Sequence, residues 1–511
     1  MDLIVLTKLG FDDSLDEEFA VKEKFMKILL IAPYLGEMKH ISSKETIEHL
    51  LPSSALVYLA SFLRAANHEP VVLDLNTKLV HKQVDKLLYC QSRIIERIKE
   101  CDPGLIGINC LFSGAFPTVL EFVKIIRSNF PKIKIVIGGI HPSTYPQNIL
   151  EHCKEIDYLV LGEGETQIVE LADCIEQDDF EKIAKISSFA CRTKDGSVKI
   201  NEDKLLLDLD DLPMPAWDLV DFKNYEIDMT NYYNPKQLTM KNRVPIFSSR
   251  GCPMDCNFCD MFLTMGKKHR RSSAERFVDE IEFLHKNKGM NYFSIMDDNL
   301  TLNNKHILRI CEEIKRRKLN IQFETPNGVQ VSSLNEEVIA ALASAGLVRT
   351  NVAIESGSDY IRNLVVGKDL EKEKIYDVCK LLKKYKIMTG GFFVIGFPEE
   401  TNETLTDTYE MMNELKLDRM KPHIAIPFPG TRLFEQVKRD NLFTQHVDFD
   451  NLWKMPMSHA QDDFIIKPYD MSLEDLRKWR SKLAAVNDKY LNYNSNTFRT
   501  MELAKMNAAM V

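Results

Sequence analysis

The chain has 511 residues, too long for one ordinary core, so two or three domains are expected. Hydrophobic residues make up 44% and charged residues 28%, which excludes a disordered chain. The formal net charge of −9 leaves no broad basic field to hold nucleic acid or an anionic membrane surface.

Residues 1–26 form an extension rich in acids, with Asp12, Asp13, Asp16, Glu17 and Glu18. It has no basic stretch followed by an apolar one, and no apolar run in the chain reaches the roughly 18–20 residues of a membrane span. A cytoplasmic location without an integral membrane segment is expected. Eleven cysteines in such a chain should be mostly reduced.

Over 27–177 short apolar runs alternate with amphipathic ones. The runs at 27–34, 70–75, 105–111, 133–137 and 158–161 read as buried parallel strands. The stretches 53–66, 79–100, 116–129, 145–153 and 166–177 read as helices. Five such units predict an α/β domain with an open doubly wound sheet, whose strand ends carry the ligand edge. Small residues gather there: Gly138-Gly139-Ile140-His141-Pro142-Ser143 after the fourth strand and Gly162-Glu163-Gly164-Glu165 after the fifth. Residues 178–242 read as a linker, with a turn at Lys194-Asp195-Gly196-Ser197 and two prolines among the acids of 208–215.

A second alternation fills 243–431. Strands are expected at 244–249, 292–296, 321–325, 350–354, 391–395 and 423–426. Helices are expected at 274–288, 305–318, 336–345, 372–386 and 403–415. This pattern predicts a partial (β/α)6 barrel of TIM type, with its active face at the strand C-terminal ends. Residues 432–511 form a mixed C-terminal region with a helix near 473–490.

Just after the first barrel strand the chain reads Arg250-Gly251-Cys252-Pro253-Met254-Asp255-Cys256-Asn257-Phe258-Cys259. Three thiols spaced C-x3-C-x2-C can wrap one metal centre. A closed zinc site needs a fourth ligand, for which His269 is the candidate. A four-iron cluster on three cysteines leaves one iron open for a substrate. The basic run Lys267-Lys268-His269-Arg270-Arg271 reads as a solvated loop, with a phosphate or carboxylate contact as the alternative.

The spacing, the aromatic Phe258 before Cys259 and the barrel resemble the radical S-adenosylmethionine superfamily. That resemblance implies a 4Fe-4S cluster on Cys252, Cys256 and Cys259, whose open iron binds S-adenosylmethionine and cleaves it to a 5′-deoxyadenosyl radical. It implies that Phe258 lies near the adenine and that Asp297, Asp298 and Asn299 meet the methionine amino group. Glu355 and Ser356 would serve ribose and carboxylate, and Ile395 and Gly396 would give a backbone contact to adenine. A one-electron donor of flavodoxin or ferredoxin type is implied as a partner.

The preceding sheet is similar to the cobalamin-binding domain of the cobalamin-dependent branch, through Leu51-Pro52-Ser53-Ser54 and the loops that carry Gly138, Gly139, His141, Gly162, Glu163 and Gly164. No D-x-H-x-x-G follows the first strand, where the chain reads Ala32-Pro33-Tyr34-Leu35-Gly36. The departure implies no histidine beneath cobalt, with His40 as the alternative and His141 along the corrin tail. The function implied is methyl transfer to an unactivated carbon, or to phosphorus, of a small molecule, natural product or lipid. Radical cyclisation or rearrangement without net methyl transfer is the alternative within the branch. Methylthiolation would need three more cluster cysteines in the N-terminal domain, and a cobalamin-binding sensor would not need the cysteine loop. Trp453, Met455, Met457, Tyr225 and Tyr232 are pocket candidates.

Overall fold

The computed structural model describes residues 25–35, 50–202, 206–226, 233–454 and 463–486. His40, Gly36, Tyr232, Met455, Met457 and most of the 1–26 extension lie outside them.

The first half runs β1 (Lys27–Ala32), α1 (Ser54–Ala65), β2 (Glu69–Asp74), α2 (Lys78–His81), α3 (Lys86–Cys101), β3 (Leu105–Asn109), α4 (Phe116–Asn129) and β4 (Lys134–Gly138). It continues α5 (Ile140–Thr144), α6 (Pro146–His152), β5 (Tyr158–Val160), α7 (Glu165–Glu176), α8 (Phe180–Ile183), β6 (Phe189–Arg192) and β7 (Val198–Asn201). The strands order as β2-β1-β3-β4-β5-β6-β7, the first five parallel. That is the doubly wound order, with the chain switching direction between β1 and β3. Ile28, Leu29, Leu30 and Ile31 are buried on both faces, which explains their unbroken apolar run.

Two details differ from the sequence reading. The helix expected over 79–100 is broken, because the Asp85 carboxylate accepts from Leu88 N–H at 2.9 Å and starts a new helix. The hairpin placed in the 178–242 linker instead pairs antiparallel onto β5 and extends the sheet. The expected turn is there, closed by Thr193 N–H to the Ser197 carbonyl at 2.9 Å.

The second half begins with β8 (Val244–Ile246) and a two-residue ribbon, β9 (Ser249–Arg250) with β10 (Arg270–Arg271), which brackets the cysteine loop and α9 (Phe262–Met265). Next come α10 (Ala274–Lys288), β11 (Tyr292–Ile295), α11 (Asn304–Arg316), β12 (Gln322–Val329), α12 (Glu336–Ala345) and β13 (Leu347–Glu355). Last are α13 (Lys372–Lys384), β14 (Met388–Ile395), α14 (Asn402–Leu415), β15 (Arg419–Ile424) and α15 (Arg432–Arg439). Six parallel strands order as β8-β11-β12-β13-β14-β15, a partial barrel. Its helices start where caps are written. Ser273 Oγ accepts from Arg276 N–H, and Asn335 Oδ1 accepts from Val338 N–H. A further helix covers 473–486.

The C-terminal region ties the halves together. Phe464 packs against the turn at Gly396, while Trp453 is buried in the core of the first sheet, 6.1 Å from the Phe116 ring.

Candidate functional site

The cysteine loop leaves β9 through Gly251, at φ +83°. A Cβ there would overlap the Lys268 carbonyl, so only glycine admits this path. Cys259 N–H donates to the Cys256 carbonyl at 3.2 Å, and Asn257 N–H donates to the Val366 carbonyl at 3.0 Å. The Asn257 carbonyl in turn accepts from Leu433 N–H at 2.9 Å, so the loop is stitched to the segment after β13 and to the start of α15. All three thiols are half-buried and free. Burial pushes the Cys259 thiol up to about 12. It also raises Cys256, against the pull of the Lys368 ammonium.

The donor set discriminates between metals. Among the described residues one set of three histidine, cysteine or acidic side chains brings its donor atoms within 4.8 Å of one another, namely His68, Asp173 and Glu176. The cysteines are not such a set. Thiolates on one zinc at about 2.3 Å stand only about 3.8 Å apart. Thiols spread wider suit a multi-iron cluster. One ring nitrogen of His269 meets the backbone of Asn299 while its Nε2 is buried without a partner, and burial lowers its pKa. The other eight cysteines are buried, with Cys90 pushed up to about 12 by burial.

The acids after β11 have divided roles. Asp297 is buried and fully engaged, accepting from Ser248 N–H at 2.7 Å and from the Ser248 and Ser249 hydroxyls at 2.6 Å each. Burial holds its pKa near 6 against those bonds. Asp298 accepts from Gly251 N–H at 2.7 Å. Both acids fasten the cysteine loop, Asp297 with both oxygens engaged and Asp298 with one. Asn299 lies against the loop itself: its Nδ2 lies 3.4 Å from Cys252 Sγ and 2.7 Å from Gln330 Oε1, while its Oδ1 is buried without a partner.

Glu355 ends β13 at φ +68°, beside a register shift against β14. A left-handed non-glycine residue at a bulge is a place where a side chain is re-aimed. Its carboxylate accepts from Lys368 Nζ at 2.6 Å. Burial works to lower the Lys368 pKa, yet Glu355 and then Cys256 hold it above the ordinary value. Ser356 is wholly buried and its hydroxyl meets Thr408 Oγ1 at 3.1 Å, so it positions the strand end instead of facing a ligand. The Ile395 carbonyl accepts from Ala425 N–H at 2.9 Å, and Gly396 N–H donates to Glu400 at 3.1 Å. Phe258 sits 6.1 Å from the Phe397 ring, in a cluster with Ile361, Val366 and Val394.

At the first sheet Leu35, Leu111 and Phe112 are exposed just beyond β1 and β3. They give the strand edge an apolar face suited to a flat, largely apolar macrocycle. Gly139 turns at φ +123°, where a Cβ would overlap the Cys110 carbonyl. Gly138 beside it has only ordinary contact space around its Cβ position, and Gly164 lies close to Val160. Ser53 N–H donates to Asp74 at 2.8 Å, and its hydroxyl makes no cap bond. Asp74 also accepts from Tyr225 at 2.7 Å, which spends that pocket candidate on structure.

His141 is wholly buried, 4.1 Å from the Phe116 ring, and burial lowers its pKa to about 3. It holds the loop from within the core and does not line the edge. Glu163 also departs from expectation, because its carboxylate points across the junction to Arg250 and Arg270. Arg270 is therefore neither a solvated loop residue nor a ligand contact. Lys368 and Gln330 lie outside every motif, where single charged or amide residues carry no spacing signal, and Glu165 and Arg250 stand in the glycine turn and the cysteine segment with no role that sequence assigns.

Comparison with known proteins gives a consistent picture. Residues 44–172 match the model of the B12 binding domain, and residues 246–412 match that of the radical SAM superfamily. An uncharacterized methyltransferase of Pyrococcus horikoshii is 30% identical over 82% of this chain and 84% of its own length. The cytidylyl-2-hydroxyethylphosphonate methyltransferase of Streptomyces wedmorensis is 26% identical over 81% of this chain and 82% of its own. An anaerobic magnesium-protoporphyrin IX monomethyl ester cyclase of Rubrivivax gelatinosus is 26% identical over 81% and 70%. Among solved structures, the radical S-adenosylmethionine methyltransferase TsrM of Kitasatospora setae, with cobalamin and a 4Fe-4S cluster, superposes with a TM-score of 0.64. It covers 89% of this chain and 82% of that one at 20% identity, a likeness of fold.

Proposed function

Because the chain belongs to the cobalamin-dependent radical S-adenosylmethionine enzymes, we propose that it is a methyltransferase acting on a carbon or phosphorus centre of a small molecule. When bound, the cluster with S-adenosylmethionine supplies a 5′-deoxyadenosyl radical and cobalamin supplies a transferable methyl group.

The observation that carries this reading is the meeting of two strand-end edges. The turn after β5 touches the start of the cysteine loop, with Arg250 Nη1 donating to Glu163 at 3.0 Å. Gly162, in the same turn, lies against the Thr264 carbonyl of α9. A sensor would not need its corrin edge set against a cluster loop. Two relatives of similar length carry methyltransferase names, which supports methyl transfer over cyclisation.

Roles follow from free atoms. Cys252, Cys256 and Cys259 hold the cluster. The unpartnered Oδ1 of Asn299 accepts from the amino group of S-adenosylmethionine, while Asp297 and Asp298 brace the loop. Glu355, with Lys368 paired to it close to Cys256, would serve the ribose and carboxylate of S-adenosylmethionine, and Phe258 with Phe397 borders the adenine. Ser53, Gly138 and Gly139 line the corrin edge. No helix among the described residues is long and apolar enough to cross a membrane. The electron comes from a flavodoxin- or ferredoxin-type carrier.

The test is anaerobic turnover with methyl-labelled S-adenosylmethionine and a small-molecule extract. Label is expected in a product that disappears with Cys256→Ala. Formation of 5′-deoxyadenosine with no labelled product would favour the cyclase or rearrangement reading instead.

A further inference from the structure

A buried ion cluster closes the junction between the two sheets. Glu163 comes from the turn after β5 and Glu165 opens α7, and Arg250 and Arg270 stand opposite each other on the β9–β10 ribbon. Arg250 Nη1 donates to Glu163 at 3.0 Å, and its Nη2 lies 2.7 Å from Glu165 Oε1. Arg270 Nη1 donates to Glu163 at 3.1 Å and to the Leu207 carbonyl of the connector at 2.9 Å, and its Nη2 takes the other Glu163 oxygen. All four side chains are at least about nine-tenths buried, the most exposed being Arg250 at 11%. The Arg250 guanidinium also sits 5.5 Å over the ring of Tyr58 in α1, and the Tyr58 hydroxyl donates to Glu280 of α10 at 3.1 Å.

Burying four charges carries a desolvation cost, and apolar packing gives adhesion without it. What forked ion pairs add is direction: they fix how two surfaces are registered. Here the register has one consequence. Arg250 is two residues from Cys252, and the intervening Gly251 is held by Asp298 with no room for a Cβ. On the other side Glu163 follows Gly162, whose N–H is held by Ser143 at 2.9 Å, within the helix that follows Gly139. No slack separates the ion cluster from either cofactor edge.

We propose that Glu163, Glu165, Arg250 and Arg270 are positioning residues that set the spacing between the cobalamin edge and the cluster loop. The proposal rests on the two-cofactor reading above. Weakening the clamp leaves both cofactors bound but lets their separation vary.

Glu163→Gln and Glu165→Gln keep side-chain size and remove charge. Arg250→Lys keeps charge and loses the fork, in case the neutral variants fold poorly. Arg64→Gln is the control, since Arg64 makes an exposed pair with Asp218 of the connector at 2.7 Å. In cofactor-free protein, hydrogen exchange in 160–165 and 249–259 is expected to speed up together by about tenfold or more in the clamp variants. It should not change in the control or in the other strands. In loaded protein, pulsed electron paramagnetic resonance between cob(II)alamin and the reduced cluster should give one narrow distance for the parent. Glu163→Gln and Arg250→Lys should broaden it.

A distance as narrow as the parent's in the clamp variants, or equal broadening in the control, overturns the proposal. A parent that binds only one cofactor defeats the two-cofactor reading instead. Unchanged exchange in the cofactor-free variants counts against the clamp regardless of loading.

Discussion

The Asn299 amide nitrogen lies 3.4 Å from the sulfur of Cys252, the first of the three cluster cysteines. An N–H aimed at a cluster sulfur favours the reduced, more negative state. Asn299→Ala keeps all three thiols, so iron and sulfide should still load. The reduction potential should become more negative. A bond worth about 1 kcal/mol corresponds to on the order of 40 mV for one electron. A redox titration followed by electron paramagnetic resonance measures it, and an unmoved potential would mean that the contact does not tune the cluster.

Lys368 and Glu355 form a buried pair next to the cysteine loop, with side chains 13% and 7% exposed. Removing one member strands the other charge, at a cost of roughly 3–5 kcal/mol for a buried pair. Lys368→Met should therefore lower the stability of cofactor-free protein by an amount of that order in anaerobic urea unfolding. Lys368→Met with Glu355→Gln should recover most of it, because no uncompensated charge remains. Loss of the ammonium also removes the group that opposes the upward shift of the Cys256 thiol. Cluster loading in Lys368→Met should then require a higher pH. Additive losses in the double variant would argue against direct coupling.

The contrast between Cys252 and Lys368 marks how far the sequence could be read. Three thiols in eight residues are a local pattern, visible without a fold. The helices 274–288 and 336–345 were equally local, since Ser273 and Asn335 write their own caps. The fate of Glu163 was not local. A carboxylate in a Gly-Glu-Gly-Glu turn looks ready for a ligand, and only the approach of β9 and β10 assigns it to two arginines. Trp453 is a similar case: nothing around it in the chain says that it packs in the first core, 5.1 Å from the His152 ring. Position in the fold also separated Asp297 and Asp298 from Asn299. All three are polar residues after one strand, but Ser248, Ser249 and the Gly251 amide reach only the first two.

The two cofactor edges should fail separately. Gly139 holds φ +123° and has no room for a Cβ against the Cys110 carbonyl. Gly139→Ala should cost about 1–3 kcal/mol in backbone strain alone and displace the loop that carries Ser143. Cobalamin retention on gel filtration should drop, while the iron–sulfur absorbance persists. Gly251→Ala should do the reverse, because its Cβ would displace the cysteine loop from the Lys268 carbonyl. Loss of both cofactors in either variant would indicate global unfolding and could be recognised from the circular dichroism spectrum.

Glu400 gives the protein a pH dependence of definite sign. It is wholly buried behind the turn at Gly396, and burial pushes its pKa up to about 8. Gly396 N–H opposes that shift with a bond of 3.1 Å, and Glu399 adds to it. In the unfolded chain the carboxyl titrates at about 4.3. Between these values the folded state binds more protons than the unfolded one. Stability from this group is therefore complete below about pH 4 and falls as pH rises toward 8, by at most about 1.4 kcal/mol per pH unit. Glu400→Gln stays neutral, can still accept from Gly396, and places an amide where the carboxyl proton sits. It should match the parent near pH 5 and exceed it in thermal stability at pH 8 to 9. Glu400→Ala loses the acceptor at every pH and should be less stable throughout. If Glu400→Gln and the parent lose stability in parallel from pH 5 to 9, the carboxyl is already ionised in the fold and the turn at Gly396 must hold a buried charge.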